Sequence, residues 1–161
     1  MSAIFDILNA GQVIRWHTNC WLSGTNDRTA GHQWRVACFL RKLHPKITLD
    51  MMTAALIHDG GEWSVGDVSA TVKDKYPDLA VWLAKIERDA LEAIFGAFPD
   101  LPEHDARLLH FADRLDSWVW ARHHRAPMDR DGWPAATSWL HSEACVLGVV
   151  DDWGELVRGM P

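Results

Sequence analysis

Apolar residues recur every three or four positions through most of this chain, and that spacing is typical of amphipathic helices. The clearest pattern spans residues 29–43, where Pro45 follows the last periodic position and can close the helix. Ser2 and Thr48 stand where helix N-caps are expected, before AIFDILNA and MMTAALIH respectively. The pattern predicts helices over residues 3–10, 29–43, 51–58, 77–98 and 103–124, and a last one from Trp133-Pro134 towards Trp153.

Glycine and proline residues mark the end of the third predicted helix and the start of the fourth. Gly60-Gly61 should stop the third helix, which places His58 and Asp59 in its last turn and a polar loop after it. Pro77 can serve in the first turn of the fourth helix. The apolar face predicted for that helix consists of Leu79, Trp82, Leu83, Ile86, Ala90, Leu91 and Ile94.

The sequence pattern gives no indication of a β-sheet, a repeat protein or a disordered chain. The chain shows no convincing strand alternation, no Asn-Gly hairpin turn, no internal repeat and no low-complexity segment. Its length of 161 residues, with 48% hydrophobic and 24% charged positions, suits one globular domain with a sizeable core. We therefore predict an all-α helical bundle that forms a single domain over residues 1–161.

Charge and cysteine content narrow the classes of function. A formal net charge of -6 argues against stable nucleic-acid binding, so an anionic ligand would need cationic groups concentrated at its site. The three cysteines form no CxxC pair, which favours free thiols in a reducing compartment. With no run of about 18 apolar residues and no leader, we expect a cytoplasmic protein that does not enter a membrane.

Four ionisable residues stand where they can converge in such a bundle. His32 lies near the start of the second helix, His58 and Asp59 lie at the end of the third, and Asp113 lies inside the fifth next to an apolar stripe. A histidine near an apolar face is by itself more often a hydrogen-bonded core residue than a ligand. Two imidazoles and two carboxylates together, however, suit a divalent transition metal and leave coordination positions open for water and substrate.

The order of these residues resembles that of the HD-domain phosphohydrolases, whose signature is His, then His-Asp, then Asp on separate helices. The segment HDGGEWSVGDVSATVK looks like the version of the motif found in bacterial HD-domain 5′-deoxynucleotidases and compact phage dATP triphosphohydrolases. The resemblance covers roughly residues 13–120. The matching residues are Arg15, Trp16, His32, His58, Asp59, Glu62, Asp67, Lys73 and Asp113.

The resemblance implies an HD-type bundle and a metal-dependent hydrolase that cleaves the 5′ phosphate ester of a deoxynucleotide. The metal would be Co, Mn, Zn, Mg or Fe, held by the four residues named above. Resemblance slightly favours Asp67 as the base and Glu62 as the group that positions water, although the two roles could be exchanged. Arg15 and Lys73 would bind phosphate, and Trp16 would stack on a base, with a purine such as that of dATP favoured.

Three departures from the family pattern stand out. The first histidine lies in Gly31-His32-Gln33, whereas the family usually has Glu before it and Ser after it, so the support of this ligand should differ. The segment VSATVK before Lys73 lacks the usual proline. The interval from Asp59 to Asp113 is short for the bacterial deoxynucleotidases and closer to that of the compact phage enzymes.

Several alternatives stay open at this level. A triphosphate would need more cationic groups than a monophosphate, and Arg28, Arg35 and Lys75 are candidates. An HD phosphodiesterase acting on cyclic or oligonucleotides usually has extra histidines, for which only His104 and His110 are available. A non-catalytic nucleotide sensor would keep the bundle without the chemistry. The chain is also compatible with a homo-oligomer.

Overall fold

The computed structural model describes residues 3–160, and within them the fold is all-α, as predicted. Two short 3₁₀ segments, Ser23–Thr25 and Gly60–Ser64, lie between the helices, and the β-pairing in the described chain is a single isolated bridge from Ile14 to Arg28. The α-helices are α1 (Ala3–Gln12), α2 (Thr29–Leu43), α3 (Leu49–Ile57), α4 (Ala70–Lys75), α5 (Pro77–Phe95), α6 (Glu103–His123), α7 (Trp133–Leu147) and α8 (Val150–Gly159).

The chain divides into two compact units. The first takes in the residues up to Trp34 together with Leu56–Pro99, and the second comprises Arg35–Ala55 and the residues from Asp100 onward. None of the helices among residues 3–160 combines the length and apolar character that a membrane crossing demands.

In the first unit the 3₁₀ segment Gly60–Ser64 packs against α1 and α5. The packing against α5 is so close that a Cβ atom on Gly61 would overlap the backbone carbonyl of Glu87, and one on Gly60 would lie 2.8 Å from the ring of Phe95. Glycine is therefore needed at position 61 because two backbones meet there, whereas at position 60 the space is limited by a side chain. This contact holds the 3₁₀ segment that carries Glu62 against α5.

In the second unit, buried side chains from α6, α7 and α8 form the core together with residues of α2 and α3 such as Leu40 and Met51. The indole of Trp118 donates to Thr137 Oγ1 at 2.9 Å and lies 4.9 Å from the ring of Trp153, which satisfies its polar atom inside an apolar environment. Arg35 forms a bidentate pair with Asp116 at 2.6 and 3.0 Å and stacks over Trp120. A buried carboxylate is thereby paired within this unit.

Several predicted helix bounds are confirmed. Helix α2 has the bounds read from the pattern, Pro77 begins α5, and Thr48 Oγ1 accepts the backbone N–H of Met51 as the N-cap of α3. Helix α5 ends at Phe95 rather than 98, since Gly96 has a positive φ of 79°. The predicted cap at Ser2 lies outside the described residues.

Three other predictions were wrong. Helix α3 ends at Ile57, so His58 and Asp59 lie in the turn after it rather than in its last turn. The polar loop contains a helix, α4. The last predicted helix is two helices, because Gly148 takes a left-handed conformation (φ 73°) and the N–H of Val149 bonds back to the carbonyl of Ala144 at 2.9 Å, as in a Schellman cap.

The predicted apolar face of α5 is only partly buried. Leu83 and Leu91 are buried, whereas Leu79, Trp82 and Ile86 are exposed. The helical periodicity identified an apolar side of α5, but the elements packed against α5 bury only one edge of that side.

Candidate active site

Two histidines and an aspartate of the first unit bring their donor atoms together. His32 reaches the group from α2, and its ring is fully buried, while His58 and Asp59 come from the turn after α3. His32 Nε2 lies 3.2 Å from His58 Nε2 and 3.2 Å from Asp59 Oδ2, and His58 Nε2 lies 3.5 Å from the same oxygen. These three donor atoms form a triangle with sides that a single ion can span.

The triangle fits a divalent metal ion. Nitrogen and oxygen ligands sit about 2.0–2.2 Å from an ion such as zinc, so two ligands of one tetrahedral ion lie about 3.3–3.6 Å apart. The observed separations of 3.2–3.5 Å match that spacing closely. Two imidazole nitrogens and a carboxylate oxygen are also the donor types that divalent transition metals take in proteins.

The charge on Asp59 is stabilised by its neighbours. Burial opposes its ionisation, but attraction to His58 and the hydrogen bond from His32 outweigh burial and hold the pKa of Asp59 below its usual range. Asp59 is therefore ionised at neutral pH and ready to bind a cation.

Glu62 lies in the 3₁₀ segment and is buried in the first unit. Burial, followed by repulsion from Asp59 and Asp67, raises its pKa to about 9. Its Oε2 atom has no hydrogen-bond partner among the described residues. In the metal-free protein this carboxyl consequently holds a proton at neutral pH.

The Arg15-Trp16 pair is anchored by a residue that the sequence did not single out, Asp27. This carboxylate is 2% exposed, and its Oδ2 accepts from Arg15 Nη1 at 3.3 Å and from the indole Nε1 of Trp16 at 3.1 Å. The backbone carbonyl of Asp27 accepts the N–H of Arg15 at 3.0 Å. Asp27 therefore fixes the direction of both side chains.

Trp16 is also tied to Asp67. Its backbone N–H donates to Asp67 Oδ2 at 3.0 Å, and its φ of 64° lies in the left-handed region that non-glycine residues seldom occupy. The Arg15 guanidinium lies 5.1 Å from the ring centroid of Trp16. The structure thus links the predicted phosphate binder, the predicted stacking residue and the predicted base through direct contacts.

Lys73 approaches the same region from α4. Its Nζ lies 3.4 Å from Glu87 Oε1, and its charge, like that of Arg15, favours ionisation of Glu62. Two cations and three carboxyl groups (Asp59, Glu62 and Asp67) therefore interact electrostatically within the first unit.

Asp113 lies in the interior of α6, in the second unit, and is half-buried. Its assignment as the fourth ligand stays a prediction. His110, one turn earlier, packs edge-on against Trp139 at 5.1 Å between ring centroids.

Sequence reasoning missed Asp27, Glu87 and the role of Gln33. Asp27 lies in a polar loop (TNDRT), where an aspartate is common. Glu87 has the sequence context of a solvent-exposed residue on a helix. Gln33 was noticed only as a departure from the family pattern. In the sequence, the only indication that one residue could hold both the Arg15 and the Trp16 side chains was that these two residues are adjacent.

A comparison with protein-family models matches residues 12–124 to the family described as HD domain. This interval contains every candidate residue named above. No curated protein and no solved structure matches the chain.

Proposed function

Because this chain belongs to the HD domain family, whose members are generally metal-dependent hydrolases, we propose that it cleaves the 5′ phosphate ester of a deoxynucleotide and releases the deoxynucleoside. The observation that carries the proposal is the triangle of His32, His58 and Asp59 donor atoms, with separations of 3.2–3.5 Å. When bound there, a divalent ion supplies Lewis-acid stabilisation of the charge that develops on the phosphoryl group. Asp113 is proposed as the fourth ligand.

Asp67 is the proposed base that takes the proton from the attacking water. The hydrogen bond from the backbone of Trp16 holds one carboxylate oxygen, which orients the other for proton transfer. Glu62 is proposed to position the water and the substrate through its buried carboxyl, whose Oε2 atom lacks a protein partner among the described residues. The two groups thus divide positioning and proton transfer.

Arg15 and Lys73 are the proposed phosphate ligands. Both side chains already pair with carboxylates, Arg15 with Asp27 and Lys73 with Glu87. This pairing restricts the rotamers of the two side chains, so a bound anion has less of their conformational freedom to remove. Trp16 is half-buried, with its indole N–H on Asp27, so its ring is a fixed surface for a base. Stacking of this kind is typically worth about 1–3 kcal/mol per base and favours the larger purine.

The proposal is tested by measuring phosphate and triphosphate release from dAMP, dGMP, dCMP, TMP and the matching triphosphates with added Mn²⁺, Co²⁺, Zn²⁺, Mg²⁺ or Fe²⁺. We expect metal-dependent release of deoxynucleoside, with a higher kcat/KM for a purine and for dATP or dAMP in particular. His58→Ala should lose bound metal and turnover together. The matched control is His123→Ala, which removes an exposed histidine at the end of α6 and should leave both unchanged.

Different failures point to different parts of the proposal. Stoichiometric metal binding by His58→Ala would show that the metal site is wrong. Metal binding without hydrolysis of any deoxynucleotide would contradict the substrate class, and hydrolysis of cyclic or oligonucleotides in its place would favour the phosphodiesterase. Equal kcat/KM for purines and pyrimidines would contradict the stacking role of Trp16.

A further inference from the structure

Gln33 follows the metal-ligand candidate His32 directly on α2, and its side chain is buried. With the amide oriented so that each polar atom has a partner, its nitrogen donates to the carbonyl of Leu56 at 3.0 Å. Its oxygen accepts from the backbone N–H groups of Asp59 and Gly60, each at 3.2 Å. One side chain therefore makes three hydrogen bonds to the backbone that carries His58 and Asp59.

These bonds fall where α3 gives way to the turn. Leu56 is in the last turn of α3, where carbonyl groups have no partner within the helix. Since an amide offers both donors and an acceptor with two lone pairs, Gln33 can bind a carbonyl and two N–H groups together. A hydrophobic side chain of the same length would fill the volume without making any of these bonds.

Adjacent residues of a helix point in directions about 100° apart. On α2 this separation sends His32 to the ligand group and Gln33 to the backbone of the turn that supplies the other two ligands. The position of the His58-Asp59 turn relative to His32 is thus set by the residue next to His32 itself. Small displacements of this turn would change the distances between the donor atoms of His32, His58 and Asp59.

We propose that Gln33 is a positioning residue, which fixes the His58-Asp59 turn against α2 and thereby sets the affinity of the site for a divalent metal. The proposal rests on the metal site of the proposed function. Groups that orient metal ligands typically contribute about 10–100-fold to metal affinity. We expect an effect of that size here because the bonds hold the backbone of one ligand, Asp59, directly.

The test compares three variants of the full chain. Gln33→Met keeps length and removes all three bonds, while Gln33→Glu keeps the acceptor for the two N–H groups. Thr29→Val is the matched control, because it removes a partly buried hydrogen bond from the Thr29 hydroxyl of α2 to Val13 O (3.3 Å), one turn before His32, without touching the His58-Asp59 turn. Calorimetric titration with Mn²⁺ gives the Kd, and amide hydrogen exchange of Asp59 and Gly60 in metal-free protein reports the turn itself.

For Gln33→Met we expect a Kd for Mn²⁺ about 10–100-fold weaker and faster exchange at both amides. Gln33→Glu should recover much of the amide protection and part of the affinity. Thr29→Val should keep the wild-type Kd and exchange at these amides, even where its melting temperature falls.

The inference fails if the wild type binds Mn²⁺ and Gln33→Met matches it in both Kd and amide exchange; the proposed metal site would then survive. If Gln33→Met does not fold, Gln33→Glu decides: retained protection of the Gly60 amide with a Kd weaker than that of the wild type supports the role, because this variant loses only the bond to the carbonyl of Leu56, and an unchanged Kd overturns it. If the wild type binds no metal, the proposed function fails. The role of Gln33 in metal affinity is then overturned as well, and faster amide exchange in Gln33→Met would show only that Gln33 holds the turn.

Discussion

At the scale of single residues, the buried carboxyl of Glu62 should make the stability of the metal-free protein depend on pH. In the unfolded chain this group ionises near its ordinary pKa of 4.5, whereas in the folded protein the pKa is about 9. Between those values the unfolded state loses its proton and the folded state keeps it, so the free energy of unfolding falls as the pH rises. Glu62→Gln cannot ionise and should escape this loss.

Urea unfolding in the presence of a chelator, at pH 5, 7 and 9, measures the effect. Glu62→Gln should be close to the wild type near pH 5 and progressively more stable than it towards pH 9. A difference between the two proteins that stays constant with pH would show that Glu62 ionises normally in the fold. The exposed Glu103, at the start of α6, offers a control through Glu103→Gln, for which no comparable dependence is expected.

At the scale of elements, the contact between the 3₁₀ segment Gly60–Ser64 and α5 should tolerate no side chain at Gly61. A methyl group there would meet the backbone carbonyl of Glu87, which cannot rotate away, so one of the two elements must move. Overpacking of this kind typically costs about 1–3 kcal/mol and sometimes more. Gly61→Ala should therefore lower the melting temperature and, by displacing Glu62, also reduce turnover.

Two other glycines make this prediction specific. At Gly60 the obstacle is the ring of Phe95, a side chain that can rotate, so Gly60→Ala should be the milder change. Gly24 has nothing within 4 Å of an added Cβ, and Gly24→Ala should leave stability and turnover close to wild type. Differential scanning calorimetry gives the ranking, and equal melting temperatures for Gly61→Ala and Gly24→Ala would rule out the close contact.

At the scale of the whole molecule, metal binding should stabilise the folded chain. An ion that binds only the folded state adds about 2.7 kcal/mol to the free energy of unfolding when its free concentration is 100 times Kd. Thermal unfolding with increasing Mn²⁺ should show a rising melting temperature for the wild type and for His123→Ala, and none for His32→Ala. Asp113→Ala should weaken the rise if this residue is the fourth ligand, and an undiminished rise would remove it from the ligand set.

Local patterns explain which parts of the fold could be predicted. The bounds of α2 follow from apolar spacing and a proline, and the cap at Thr48 and the start of α5 at Pro77 follow from residue chemistry within a single turn. Helix α4 was missed because ATVKDK carries no periodic apolar stripe. The break at Gly148 was missed because a glycine within a helical pattern does not by itself end the helix, whereas a left-handed conformation does.

The sequence by itself determined the helical class and the kinds of donor atoms, because periodicity and ligand chemistry belong to individual residues and their near neighbours. Tertiary structure alone decided that His32 and His58, 26 residues apart, lie with their Nε2 atoms 3.2 Å from each other. It also decided that Asp27 holds both Arg15 and Trp16, and that Gly61 permits a close contact with the backbone of α5. Such arrangements depend on which distant segments pack together, and no local spacing encodes that choice.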